Sequence, residues 1–361
     1  MHLGKRINRI RQAIIWRLTK NIGLSREKEA EFIAHDDIQK ILISRPNHRL
    51  GNTLLITPLV QDVIATFPRA EIDLFVKGKV ASIAFRNYEN INRIIILPAK
   101  PFVHLFQYLG VWIVLMTRRY DFVINAAHHS SSGRLSTRLA RAGHKFYGDA
   151  GERVEENRMD YKHTAQYPVY GLRHYLTRCG IQGRKVPVPS LDLRLSSSEL
   201  ANGKKLLAEL VPMHKKTICL FTYATGDKCY SKLWWEPFYR RLRVTFPEHN
   251  FIEVLPVENI SQLSFVIPTF YSKQIREIGS LIANTELFIG ADSGMMHLSS
   301  AVQTTTVGLF KVTDPATFGP YANNSVAIDT NTGNMDDWIN VIHDVLIDSG
   351  MGGELSVGGN R

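Results

Sequence analysis

The chain has 361 residues, 44% of them hydrophobic, a composition that suits a folded globular protein and a length that favours two domains. Its three cysteines, Cys179, Cys219 and Cys229, are too scattered for a disulfide framework and form no Cys-x-x-Cys pair, which argues against a zinc site and for a reducing, cytoplasmic compartment. The net charge of +11 is lopsided, with 22 Lys/Arg against 10 Asp/Glu in residues 38–185 and 14 against 18 in residues 186–361.

The basic first half points to an anionic partner: nucleic acid, an anionic membrane or an acidic glycan. A solvated basic surface is the plain alternative. Residues 5–22 read as a helix. At about 100° per residue, Ile7, Ile10, Ile14, Ile15, Leu18 and Ile22 share one arc, and Lys5, Arg6, Arg9, Arg17 and Lys20 the other. Arg11 intrudes on the apolar arc and Trp16 on the polar one. A basic amphipathic helix of this kind suits an anionic membrane interface, or packing on the body of the protein. The same basic residues interrupt any signal-peptide core.

A strand–helix rhythm follows. Ile41 to Ser44 predicts a strand, Leu54 to Phe67 a helix, Glu71 to Val76 a strand and Ile94 to Leu97 another. The apolar stretch 102–117 predicts a helix too short to span a bilayer, so buried or interfacial. Asp121 to Asn125 is a fourth strand. Val186 to Leu193, punctuated by prolines, reads as a linker. The rhythm then restarts: strand Ile218 to Phe221, helix Trp235 to Phe246, strand Phe251 to Leu255 and helix Ser272 to Ile282. Strand Leu287 to Gly290, helix Met295 to Val302, strand Thr305 to Phe310 and a final helix over 336–347 complete it. Such alternation predicts α/β lobes with parallel sheets, which bind ligands at the strand C-terminal ends.

The loops at those ends carry the chemistry. The strand Leu287 to Gly290 runs through Asp292-Ser293-Gly294 directly into a helix that carries Met295 and His297. Asp292 or Ser293 can cap that helix, and Gly294 lets a ligand approach the backbone. The helix start suits a pyrophosphate, and His297 can aim at the same anion. A capped helix with a packed histidine is the bland alternative. Thr222 follows the strand Ile218 to Phe221, and Lys232 stands before the next helix, where it can neutralise a diphosphate. In the first half, Arg45-Pro46-Asn47-His48-Arg49-Leu50-Gly51-Asn52 is a glycine-containing loop without the spacing of a dinucleotide or Walker A loop. A polar loop over 125–138 carries His128, His129, Arg134 and Arg138. Adjacent histidines with no acidic or cysteine partner make a poor metal site.

These segments together resemble glycosyltransferase family 9, the ADP-heptose:lipopolysaccharide heptosyltransferases. "ILISRPNHRLGNTLLITPLVQDVIATFPRAEIDLFV" is similar to the family's opening, and "RRYDFVINAAHHSSSGRLSTRLARAGHKFYG" to the end of its first sheet. "KLWWEPFYRRL" resembles its lysine–tryptophan helix start, and "LFIGADSGMMHLSSAVQTTTVGLF" its donor-binding signature. The resemblance implies an α/β protein of GT-B type, two Rossmann-like lobes with parallel sheets facing a central cleft. Its expected divisions are a basic helical arm (1–37), an acceptor-binding lobe (38–185), a donor-binding lobe (186–347) and a flexible tail (348–361).

It further implies an inverting, metal-independent transfer with no cofactor. The substrates would be a nucleotide-diphosphate sugar, ADP-heptose foremost, and an anionic glycan or glycolipid at the cytoplasmic face of the inner membrane. By position, Asp292, Ser293, Gly294, Met295 and His297 would line the donor diphosphate. Lys232 would compensate its charge, Thr222 would sit beside it, and Glu258 would take the ribose. Arg45, Arg49, Gly51, His129, Arg134 and Arg138 would hold the acceptor. The family pattern has an aspartate, the proposed base, where this chain has Asn52. An amide orients a hydroxyl but cannot deprotonate it, which leaves His48 and His128 as alternative bases. Two further readings stay open: the same fold with another sugar and a polysaccharide acceptor, and a nucleotide-sugar-binding protein without transfer. No nucleic-acid-binding motif accompanies the charge.

Overall fold

In a computed structural model of the protein, residues 32–98, 103, 105–127, 130–148 and 162–354 are described. The helix expected over 5–22, together with His128 and His129, lies outside them. The chain divides into two compact units. One runs to His48 and resumes over Pro58–Pro189; the other takes Arg49–Thr57 and then Ser190 onward.

The first unit is built on five parallel strands: β1 (Lys40–Arg45), β2 (Glu71–Lys77), β3 (Ile91–Leu97), β4 (Arg119–Asn125) and β5 (Arg141–Phe146), in the order β3-β2-β1-β4-β5. The central strands read as near-continuous apolar runs because helices cover both faces of a parallel sheet. Ile41, Leu42, Ile43, Phe122, Val123 and Ile124 are wholly buried. The Leu105–Thr117 helix lies on this sheet through Leu115, with Tyr108, Val111 and Trp112 packed against a core that includes Leu42, Phe75 and Val123. Elsewhere in the unit, the buried Asp62 takes two hydrogen bonds from Arg173 Nε, at 3.1 and 3.2 Å, and one from its Nη2 at 2.6 Å.

The second unit has six parallel strands: β6 (Thr217–Phe221), β7 (Asn250–Val254), β8 (Thr269–Phe270), β9 (Leu287–Ala291), β10 (Thr305–Phe310) and β11 (Val326–Asp329). Their order is β11-β10-β9-β6-β7-β8. Trp235, Phe238 and Leu242 of the Lys232–Thr245 helix fill the core on one face. The Ser197–Leu210 helix opens with a full capping box, Ser196 with Glu199. It packs so tightly on the Ile275–Ile282 helix that a Cβ on Gly203 would stand 2.0 Å from the Ser280 carbonyl oxygen.

The two lobes of parallel α/β structure are thus as the sequence predicts, but several elements differ. The helix expected from Leu54 to Phe67 is two pieces, Leu50–Leu54 and Thr57–Thr66, and the Thr57 hydroxyl donates to Leu54 O at 2.7 Å at the break. Part of the expected polar loop 125–138 is a helix, Ser131–Leu139, because Ser130 Oγ accepts from the Gly133 amide at 3.1 Å. The last helix continues to Glu354, so the backbone of 348–354 is helical where a flexible tail was expected.

Candidate functional site

In an open parallel sheet, ligands settle outside the strand C-terminal ends where the strand order reverses. In the second unit that reversal lies between β6 and β9, which neighbour each other while β7 takes the other side of β6. The turns leaving these two strands begin at Thr222 and Asp292.

The Asp292 amide donates to Leu309 O at 3.0 Å, which holds the turn against β10. The Asp292 carboxylate accepts from Lys228 Nζ and from the Thr313 hydroxyl. It is therefore occupied, and neither it nor Ser293 caps the Gly294–Ala301 helix, contrary to the sequence expectation. The Ser293 hydroxyl oxygen is buried and makes no hydrogen bond among the described residues. The helix thus begins with amide groups that no side chain caps, beside a lysine ammonium one-third exposed. An uncapped helix start and a nearby cation are features that favour an anion.

The short Leu50–Leu54 helix belongs to the same unit and abuts this helix start. A Cβ on Gly51 would lie 2.7 Å from His297 Cδ2, and one on Gly294 would lie 3.2 Å from Leu50 Cβ and 3.3 Å from the Gly51 nitrogen. Two glycines therefore let two helices touch through their backbones. His297 is buried, 5% exposed, between them. Asn52 is half-buried on the short helix, next in sequence to the glycine that meets His297.

Thr222 is buried and fully engaged: it donates to Glu253 and accepts from the Gln262 amide at 3.1 Å. Ser261 donates to the other Glu253 oxygen at 2.5 Å. Burial raises the pKa of Glu253, and the two hydroxyl donors pull it back. The group of three fastens the loop after β7 to the end of β6. Glu258 stands exposed on that loop, and Met295 is half-buried in the first turn of its helix. Lys232 is exposed and donates to Ser264 Oγ at 3.3 Å, so the lysine paired with Asp292 is Lys228. Nearby, Lys311 Nζ donates to Cys229 O at 3.0 Å and lies 4.7 Å over the Tyr230 ring.

In the first unit the reversal lies between β1 and β4. Arg45 ends β1 half-buried, and burial lowers its pKa. His48 is exposed; Gly78, at φ +74°, passes so close that a Cβ there would stand 3.3 Å from His48 Cβ. Asn125 ends β4 and organises its loop, donating to Ala127 O at 3.0 Å and Tyr147 O at 2.8 Å. Gly133 admits this arrangement, because a Cβ there would meet Asn125 Oδ1 at 2.2 Å. Arg134 is 8% exposed, while Arg138 points outward with Arg49. The helix carrying Arg134 and Arg138 is tied to β1 by a buried Ser44–Ser136 hydroxyl pair at 2.6 Å.

The segment with the uncapped helix start is also where a family model matches. Residues 272–339 fit the model of glycosyltransferase family 9 (heptosyltransferase). Over 295 residues, 76% of this chain and 84% of the relative, the sequence is 24% identical to lipopolysaccharide heptosyltransferase 3 of Escherichia coli strain K12.

The chain is similar to glycosyltransferase family 9 over residues 272–339.

A second E. coli lipopolysaccharide heptosyltransferase 3 is 42% identical over 50 residues, which span 15% of that relative. Among solved structures, a glycosyltransferase family 9 protein from Veillonella parvula superposes with a TM-score of 0.66 at 14% identity, covering 86% of this chain and 97% of that one. E. coli heptosyltransferase WaaC with ADP superposes at 0.62 and 16% identity, covering 85% and 100%. These likenesses carry the GT-B fold.

Sequence reasoning missed Lys228, Thr313 and Glu253 as members of the site. Lys228 and Lys232 lie four positions apart in sequence, and only Lys232 falls inside the lysine–tryptophan segment that resembles the family. The Lys228 partner is 64 positions away.

Proposed function

We propose that the protein transfers heptose from ADP-heptose, with inversion at the anomeric carbon, to an anionic acceptor of the lipopolysaccharide type. The observation that carries this is the uncapped Ser293–Gly294 turn beside Lys228. The names of the relatives supply the sugar and the acceptor class. Ser293, Gly294, Met295 and His297 hold the donor diphosphate, Lys228 compensates its charge, and Lys232 stands further out. Asp292 keeps Lys228 in place, Thr222 and Glu253 hold the loop that presents Glu258, and Glu258 takes the ribose hydroxyls. Arg45, Arg49, Gly51, His129, Arg134 and Arg138 receive the acceptor. Asn52 orients the attacking hydroxyl while His48 or His128 takes its proton. No metal or cofactor is required, and the reaction runs at the cytoplasmic face of the inner membrane.

Thermal melting with a panel of nucleotide sugars and nucleoside diphosphates tests the donor half. ADP and ADP-heptose should raise the melting temperature most; stabilisation by none of the panel sinks the reading. Transfer to heptose-deficient lipopolysaccharide tests the rest. His48→Ala and His128→Ala, made singly, should separate the base from a bystander. Asn52 favours one competing reading, binding without transfer, which predicts stabilisation by ADP-heptose and no product on any acceptor. A larger shift with another nucleotide sugar would redirect the donor assignment.

A further inference from the structure

We propose that the outward face of the Leu105–Thr117 helix is a docking surface that enters the headgroup layer of an anionic bilayer. The helix presents Phe106 (90% exposed), Leu109 (50%), Ile113 (55%) and Met116 (42%) at helical spacing on one side. Its opposite side is fixed to the sheet through the fully buried Leu115, with Tyr108, Val111 and Trp112. The exposed stripe therefore belongs to an anchored helix. A helix apolar all round is ordinarily buried on all sides; among the described residues this one is covered on one side only.

The occupant follows from charge and length. Residues 101–117 contain no Lys, Arg, Asp or Glu, and Arg118 and Arg119 follow at once. Arg119 is exposed, and Arg118 lies 3.6 Å from Asp73 with a third of its side chain exposed. An apolar stripe ending in cations matches a bilayer surface, where acyl chains lie beneath phosphates. A helix of 13 residues is about 20 Å long, which suits lying flat and is too short to span. Among the described residues no helix is long and apolar enough to cross a membrane. Pairing of two copies through this face would set two stretches of surplus positive charge together, 22 Lys/Arg against 10 Asp/Glu in each. The inference deepens the proposed reaction by naming the surface that meets the membrane. It rests on that reading only for which membrane is met.

The test uses the full chain without substrate. Phe106→Cys is made with Cys229→Ser, so that an environment-sensitive fluorophore attaches at position 106; Cys179 and Cys219 are buried. Phosphatidylcholine vesicles containing phosphatidylglycerol should blue-shift the label, and phosphatidylcholine alone should do so far less. Separately, Phe106→Ser with Ile113→Ser should weaken sedimentation with the anionic vesicles about tenfold or more. Melting temperature and ADP affinity should stay unchanged. No blue shift with anionic vesicles overturns the proposal, including the case where residues 5–22 alone hold the protein there. A blue shift without vesicles that fades on dilution also overturns it, in favour of a second copy. Neither assay reads heptose transfer, so failure of the reaction assignment leaves their outcome intact.

Discussion

Replacing Gly51 with alanine tests whether the two helix starts are in working contact. The added methyl would arrive 2.7 Å from His297 Cδ2, whereas carbon atoms settle at about 3.5 to 4.0 Å. Something must give by roughly 0.8 Å. The His297 ring is buried and the backbone of Gly294 lies 3.5 Å away, so the easiest movement separates the helices. Overpacking of this kind costs about 1–3 kcal/mol, against which alanine regains about 1 kcal/mol of helix propensity over glycine. The net is a destabilisation of about 0–2 kcal/mol, or a melting temperature lower by up to about 8 °C for a unit of this size. The larger effect should fall on the anion site: a shift of that size misplaces the uncapped amides of Gly294 and Met295. ADP affinity, measured by calorimetry on folded protein, should drop about tenfold, equal to about 1.4 kcal/mol. A higher melting temperature with ADP affinity unchanged would refute the reasoning, because propensity alone would then explain the variant.

Lys228→Met should weaken ADP binding tenfold or more and Lys232→Met clearly less, since only Lys228 is held at the Asp292 turn proposed to take the diphosphate; equal losses in calorimetry would contradict this. Gly203→Ala places a methyl 2.0 Å from a carbonyl oxygen that cannot rotate away, and should cost at least about 3 kcal/mol in denaturant unfolding, or prevent folding. The Glu199 carboxyl is held at a pKa of about 2 by Arg276, which donates to its two oxygens at 2.5 and 2.8 Å. A lowered carboxyl pKa contributes stability above the unfolded value, here about 4.5, and loses it as pH falls toward 2. The urea-midpoint gap between wild type and Glu199→Gln should therefore be full at pH 7 and shrink between pH 4.5 and 2; a gap independent of pH would count against that ion pair.

The strands that the sequence made legible are those whose burial is written as unbroken apolar runs, Ile41–Ile43 in β1 and Leu287–Ile289 in β9. The strand Arg141–Phe146 has no such run, since only Phe146 is buried within it. The Ser131–Leu139 helix was masked for a related reason: its buried residues are Gly133, Arg134, Ser136 and Thr137, which read as loop. The Ser197–Leu210 helix could have been read, because Ser196 and Glu199 stand three apart, as a capping box requires. In the candidate site, the Asp292-Ser293-Gly294 turn was visible as a strand running straight into a helix. What the turn binds inside the protein was not. The partners of Asp292, Lys228 and Thr313, sit 64 and 21 positions away. Nor could spacing show that the Asn52 helix would settle on His297.

The segment Arg49–Thr57 leaves the first unit and returns to it, having served as part of the second. The Asp192 amide donates to Thr57 Oγ1 at 3.1 Å, so the segment is stitched to the start of the later chain as well as to the Gly294 helix. No single cut separates the halves. A fragment begun at the proline-punctuated stretch would lack the piece that covers its own Gly294 helix start, and a fragment ended there would keep that piece without the helix it packs on. During synthesis the segment emerges long before the residues it packs against. Any exchange of the second unit between relatives must therefore carry two inserts, one of them inside the other half.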